Sequence, residues 1–168
     1  KVAMQAALLS PERVSRLVVA DIAPVAYNGH HDDVFAGLRG IDVNQLSTRK
    51  DAEVILQQHV HEQGIRQFIL KSLVRKSNGK YEWLLNVPAL EHCYSQLREG
   101  LSASQGFDGP VLFIKGELSN YIQQKHQEVI MSLFPNSKLK IMPKVGHWLH
   151  AENPELFNRL VSSFLLGE

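Results

Sequence analysis

One cysteine, Cys93, in 168 residues leaves no partner for an internal disulfide and no thiolate cluster for a zinc site, so a reducing compartment, the cytoplasm, is the expected location. Long apolar runs are also missing. Residues 17–20 and 111–114 are uninterrupted apolar stretches, far short of the roughly 20 residues of a membrane-crossing helix, and no membrane partner is expected. Basic residues are not in excess. The 18 Lys and Arg stand against 17 Asp and Glu for a formal charge of +1, and no dense Lys/Arg block offers a footprint for nucleic acid. Internal repeats and low-complexity linkers are absent too. What is there is 44% apolar and 21% charged, the make-up of an ordinary globular domain.

The opening stretch, Lys1-Val2-Ala3-Met4-Gln5-Ala6-Ala7-Leu8-Leu9, does not read as a secretory signal, for it has no longer apolar core and cleavage site behind a charged lead. Ala3, Ala6 and Ala7 have helical spacing, and small residues on one face predict a helix lying close to a sheet. Pro11 ends that helix, and residues 16–20, Arg-Leu-Val-Val-Ala, read as a strand buried on both faces. Two further strands are expected at 111–114, behind Asp108-Gly109-Pro110, and at 138–142, closed by Pro143.

Between those two strands, Ile122, Val129, Ile130 and Leu133 mark a helix within 121–134, and Asn153-Pro154-Glu155 starts another, continued by Leu156, Phe157, Leu160, Val161, Phe164 and Leu165. Strand, helix, strand, helix implies parallel pairing with crossovers. The expected fold is therefore α/β, with core segments at 1–22 and 108–168. Residues 23–107 are too long for a bare loop and show helical periodicity in several pieces punctuated by glycine. They read as a helical insertion placed where a lid over a binding crevice would sit.

Ligand sites in such sheets gather beyond the carboxyl ends of the strands. Three polar candidates lie there: Asp21 after the first strand, Glu117 after the second, and His147 after the third, in Lys144-Val145-Gly146-His147-Trp148. An acid followed later in the chain by a histidine fits the last two members of a Ser…Asp/Glu…His relay, in which the histidine takes a proton from a hydroxyl and the carboxylate orients the imidazole. The nucleophile is not apparent, because no Gly-x-Ser-x-Gly occurs. His30-His31-Asp32-Asp33 invites a metal reading, but four adjacent residues cannot converge on one ion, and Asp32 or Asp33 suits a helix N-cap. No metal and no cofactor are expected.

Three motifs carry a family resemblance: Asp21-Ile22-Ala23-Pro24, then Tyr81-x-Trp83-x-x-Asn86-x-x-Ala89-Leu90, then Gly146-His147-Trp148-x-His150-Ala151-Glu152-x-Pro154. In this order they resemble the α/β-hydrolase superfamily, and within it the YbfF-type esterases and their mitochondrial relatives. In that family the nucleophile elbow is followed by a segment that Lys1-Val2-Ala3-Met4 resembles. The resemblance thus implies an α/β-hydrolase fold whose serine and oxyanion-hole donors lie in an N-terminal half upstream of Lys1.

The superfamily's usual acid position corresponds to Ser119, which cannot carry the charge. In YbfF-like esterases the acid instead resembles Asp21, with Glu117 as the alternative. His147 is the expected general base, and Tyr81, Trp83 and Trp148 are candidate contacts for the substrate. The expected activity is hydrolysis of short- to medium-chain acyl esters, or of acyl-CoA thioesters. A haloalkane-dehalogenase chemistry on the same fold, or a non-catalytic binding module, are the alternatives.

Overall fold

The computed structural model describes residues 1–167. In chain order its elements are α1 (Val2–Leu9), β1 (Leu17–Ala20), α2 (Asp32–Arg39), α3 (Arg49–Gln57), α4 (Gln63–Leu70), β2 (Leu73–Arg75), β3 (Tyr81–Trp83), α5 (Val87–His92), α6 (Tyr94–Arg98), β4 (Val111–Gly116), α7 (Gln127–Leu133), β5 (Ser137–Met142), α8 (Leu149–Glu152) and α9 (Pro154–Leu166). They form two compact units, one of residues 1–26 with 100–167, the other Tyr27–Glu99. The segments 23–26 and 100–107, which the sequence pattern assigns to the insertion, pack with the sheet instead. Ala23 and Phe107 are buried there, and the Phe107 N–H donates to the Leu133 carbonyl at 2.8 Å.

In the first unit β1, β4 and β5 make a parallel sheet in the order β1-β4-β5, with Leu17 opposite Val111 and Gly116 opposite Met142. The central strand β4 is buried almost throughout, as its continuous apolar run requires, whereas β5 is largely exposed and carries Lys138 and Lys140 along the open edge. Because strand side chains alternate, β4 feeds two cores. Leu112 and Ile114 join Met142, Val145 and Leu149 under Leu156, Phe157, Leu160 and Phe164 of α9. Phe113 points the other way and meets Phe134 edge-on, ring centroids 5.9 Å apart. The apolar stripe of α9 and its start were both predicted, and Asn153 caps it by accepting the Leu156 N–H at 3.1 Å. In α1 the buried face is Met4 and Ala7, while Ala3 and Ala6 are exposed, so the expected alanine face is displaced by the larger Met4.

The second unit has its own core, built from Leu38, Ile41, Ala52, Leu56, Ile69, Leu70, Leu73 and Val87. Its α3 opens on a capping box in which the Thr48 hydroxyl accepts the Asp51 N–H and the Asp51 carboxylate accepts the Thr48 N–H at 2.8 Å. The Thr48 N–H and the Thr48 hydroxyl, both donating to it, hold the Asp51 carboxyl below its ordinary range. The insertion is not purely helical: β2 and β3 form an antiparallel hairpin, closed by Ser77-Asn78-Gly79 with Gly79 at φ 83°. Only glycine takes that conformation without strain. At the ends of the unit, the Tyr27 N–H donates to the Arg98 carbonyl at 3.0 Å and Arg98 Nη1 returns a bond to the Tyr27 carbonyl at 3.1 Å. Among the described residues no helix is long and apolar enough to cross a membrane.

Candidate active site

Where β1 ends, Asp21 takes a left-handed conformation at φ 47°, one that aspartate tolerates better than most residues. Its N–H still donates to the Ile114 carbonyl at 2.8 Å, so the turn comes after the last bond of the ladder. The side chain is then aimed across the end of β4. Oδ1 accepts the Gly116 N–H at 3.0 Å, and Oδ2 lies 2.8 Å from His147 Nδ1. Asp21 is fully buried, and a buried carboxylate is tolerable only when its oxygens are bonded, as both are here.

A carboxylate is an acceptor, so His147 presents Nδ1–H to Asp21 and keeps its lone pair on Nε2. The imidazole is 44% exposed while its acid partner is 1% exposed. One nitrogen of the ring is therefore anchored on a buried carboxylate while the side chain as a whole is part-exposed.

The loop bearing His147 is held by two glutamates. Glu117 Oε2 accepts the Lys144 N–H at 2.7 Å, which steadies Lys144 in its left-handed conformation at φ 57°. Glu152, on α8, accepts the Gly146 N–H at 2.7 Å through Oε2 and the Trp148 N–H at 3.0 Å through Oε1, bracketing His147 from both sides. The Tyr121 ring stacks on the imidazole with centroids 4.0 Å apart.

No family model matches the chain. It is 35% identical over 166 residues to "Esterase YbfF" of Escherichia coli, covering 98% of this chain and 63% of that protein. To "sn-1-specific diacylglycerol lipase ABHD11" of Mus musculus it is 36% identical over 171 residues, 98% of this chain and 55% of that protein. A solved structure titled "Marine microorganism esterase" superposes with a TM-score of 0.92 at 36% identity, over 98% of this chain and 66% of that one. The chain belongs to the α/β-hydrolase superfamily. It spans 55% to 63% of the length of these two curated relatives. A structure of E-2-(acetamidomethylene)succinate hydrolase, 19% identical with a TM-score of 0.66, shares the fold.

Of the residues expected to act in this α/β hydrolase, Asp21 and His147 are brought together. Glu117, the alternative acid, spends its carboxylate on the backbone of the histidine loop. Trp148 is half-buried next to His147, its N–H bonded to Glu152. Tyr81 and Trp83 lie on β3 and pack against the core of the second unit. Among the described residues no three His, Cys, Asp or Glu side chains gather as a metal site. The His30 and His31 rings lie 4.2 Å apart, and His31 Nδ1 is 2.6 Å from the Tyr94 hydroxyl. The cap of α2 is His31, with Asp32 and Asp33 in the first turn, where they complement the helix dipole, not at the cap position expected of one of them. Tyr121 and Glu152 were not singled out as site residues from the sequence. The Glu152 in Gly146-His147-Trp148-x-x-x-Glu152 was the available signal, since a carboxylate one helical turn past a glycine loop can reach back to its N–H groups.

Proposed function

We propose that this chain provides the acid and the general base of a Ser-His-Asp relay in a carboxylic-ester hydrolase, Asp21 being the acid and His147 the base. The observation that carries the reading is the 2.8 Å contact between His147 Nδ1 and the buried Asp21 Oδ2. The serine belongs to a Gly-x-Ser-x-Gly turn outside these 168 residues, a reading supported by the family resemblance and by the greater length of the relatives.

In the reaction, His147 Nε2 takes the proton of the serine hydroxyl as its oxygen attacks the ester carbonyl, and Asp21 stabilises the imidazolium that forms. Collapse of the tetrahedral intermediate expels the alcohol, which leaves with the proton from Nε2. Water then attacks the acyl-enzyme with His147 again as base, releasing the carboxylic acid and restoring the serine. Short- to medium-chain acyl esters are the substrate class, with acyl-CoA thioesters as a related one. The glyceride lipase among the relatives supports an acyl ester of an alcohol. Trp148 adjoins the base and is the substrate contact we favour within the sheet unit. The helical unit enters the chain between β1 and β4, after the strand that delivers the acid, and we assign it, with Tyr81 and Trp83, the role of a substrate-selecting lid in a cytoplasmic enzyme.

The test uses the longer protein and p-nitrophenyl esters. Hydrolysis and covalent labelling by a fluorophosphonate are expected, both abolished in His147→Ala; a His147→Ala protein with wild-type rates would overturn the reading.

A further inference from the structure

Tyr121 stands in the loop after β4, and neither the relay nor the family motifs use it. Its ring lies on the face of the His147 imidazole, centroids 4.0 Å apart and planes 19° from parallel. We propose that Tyr121 is a positioning residue for the general base: it fixes the plane of the His147 ring and sets its own π face against the cation that ring becomes. The inference rests on His147 being the base.

A second constraint on the ring is needed. Asp21 holds one atom, Nδ1, and rotation about the terminal torsion of histidine is soft. With 44% of the side chain exposed, core packing cannot supply the missing restraint. Nε2 must nevertheless point at one serine oxygen, and misplacement by about 1 Å costs on the order of a hundredfold in rate. A stacked ring removes the rotation that a single hydrogen bond leaves. It also places an aromatic face where positive charge develops during proton transfer.

Tyr121 is itself gripped from both sides. Its N–H donates to the Ser119 hydroxyl at 3.2 Å, and Ser119 is buried, with its own N–H bonded to the Gly116 carbonyl at 3.0 Å and its carbonyl accepting Lys115 Nζ at 2.9 Å. Ser119 occupies the position at which the superfamily's usual acid was sought, and here its uncharged hydroxyl anchors the tyrosine instead. On the other side Ile122 is buried, the His126 ring bonds the Tyr121 carbonyl, and His126 Nδ1 accepts the Gln123 N–H at 3.3 Å. Gly116, the start of this loop, is also the residue whose N–H Asp21 accepts. The acid and the stacking ring are thus referenced to one short stretch of backbone.

The experiment uses the full-length protein, with p-nitrophenyl butyrate for kinetics and proton–carbon correlation spectra of histidine-labelled protein for the ring. Tyr121→Leu, which keeps an apolar side chain and loses the π face, is expected to lower kcat about tenfold with KM within about twofold, and Tyr121→Phe to keep kcat within about twofold of wild type. In the spectra, the His147 Cε1 proton is shifted upfield by the tyrosine ring current, stays so in Tyr121→Phe, and returns downfield in Tyr121→Leu. A Tyr121→Leu protein with wild-type kcat and an unmoved His147 resonance overturns the inference. Should Tyr121→Leu fail to fold, the wild-type resonance decides, its lack of an upfield shift being the overturning result. The spectra need no substrate, so the two readings separate: an active His147→Ala protein removes the hydrolase reading, whereas an inactive His147→Ala beside an unimpaired Tyr121→Leu removes only the role of Tyr121.

Discussion

Gly116 and Gly146 pass so close that a Cβ on Gly116 would lie 2.0 Å from the Gly146 carbonyl oxygen and 2.6 Å from that of Val145. The first of these glycines receives the Asp21 carboxylate through its N–H, and the second precedes His147. Their close approach brings the backbone that Asp21 bonds against the residue that precedes His147. Both obstructing atoms are backbone, so no side-chain movement relieves the overlap. Gly116→Ala is expected to displace the histidine loop and cut kcat by about a hundredfold or more. Steady-state kinetics on the full-length variant, alongside its melting curve, checks this.

Glu152 acts on the same loop from the opposite direction. Glu152→Ala leaves the Gly146 and Trp148 N–H groups to water and lets the loop fray, and a drop of about tenfold or more in kcat is expected. Glu152→Gln, which keeps one carbonyl acceptor, is expected to fall between the two. Kinetics of the three proteins at one pH give the order; equal rates in all three would show that Glu152 does not clamp the loop.

His126 supplies a pH dependence of stability. Burial first, and then the charge of Lys125, hold its imidazole below the ordinary 6.5, against the opposing effect of its bond to the Tyr121 carbonyl. A histidine depressed in the folded state contributes stability that is fully present above about pH 6.5 and is lost as pH falls from there through the folded-state value. The melting temperature of the full-length protein is therefore expected to drop between about pH 7.5 and about pH 5.5, and to drop less in His126→Gln. An identical drop in both proteins would contradict this.

Much of the sheet unit was legible because its signals are local. Apolar runs at 17–20 and 111–114 and the Asn153-Pro154 helix start name their elements without knowledge of the rest of the chain. The hairpin of the second unit was missed although Asn78-Gly79 is a hairpin turn signal, because each strand has only three residues, too few to show alternation. Asp21 and His147 were legible as strand-end residues, but the choice between Asp21 and Glu117 depended on resemblance. Their separation in space is decided by the left-handed turn at Asp21 and the close crossing of Gly116 and Gly146, neither of which any spacing encodes. The tyrosine stack was hidden for the same reason, since Tyr121 and His147 lie on loops that follow neighbouring strands and meet only once β4 and β5 are in register.

Asp21, not Glu117, is expected to orient the His147 ring. Glu117 is exposed and bonds the Lys144 N–H, so its loss should loosen a loop without discharging the relay. The most direct measurement compares kcat of full-length Asp21→Asn and Glu117→Gln on one p-nitrophenyl ester. A fall of about 10³- to 10⁴-fold is expected for Asp21→Asn and of about tenfold or less for Glu117→Gln. The reverse order, with Asp21→Asn close to wild type, would contradict it.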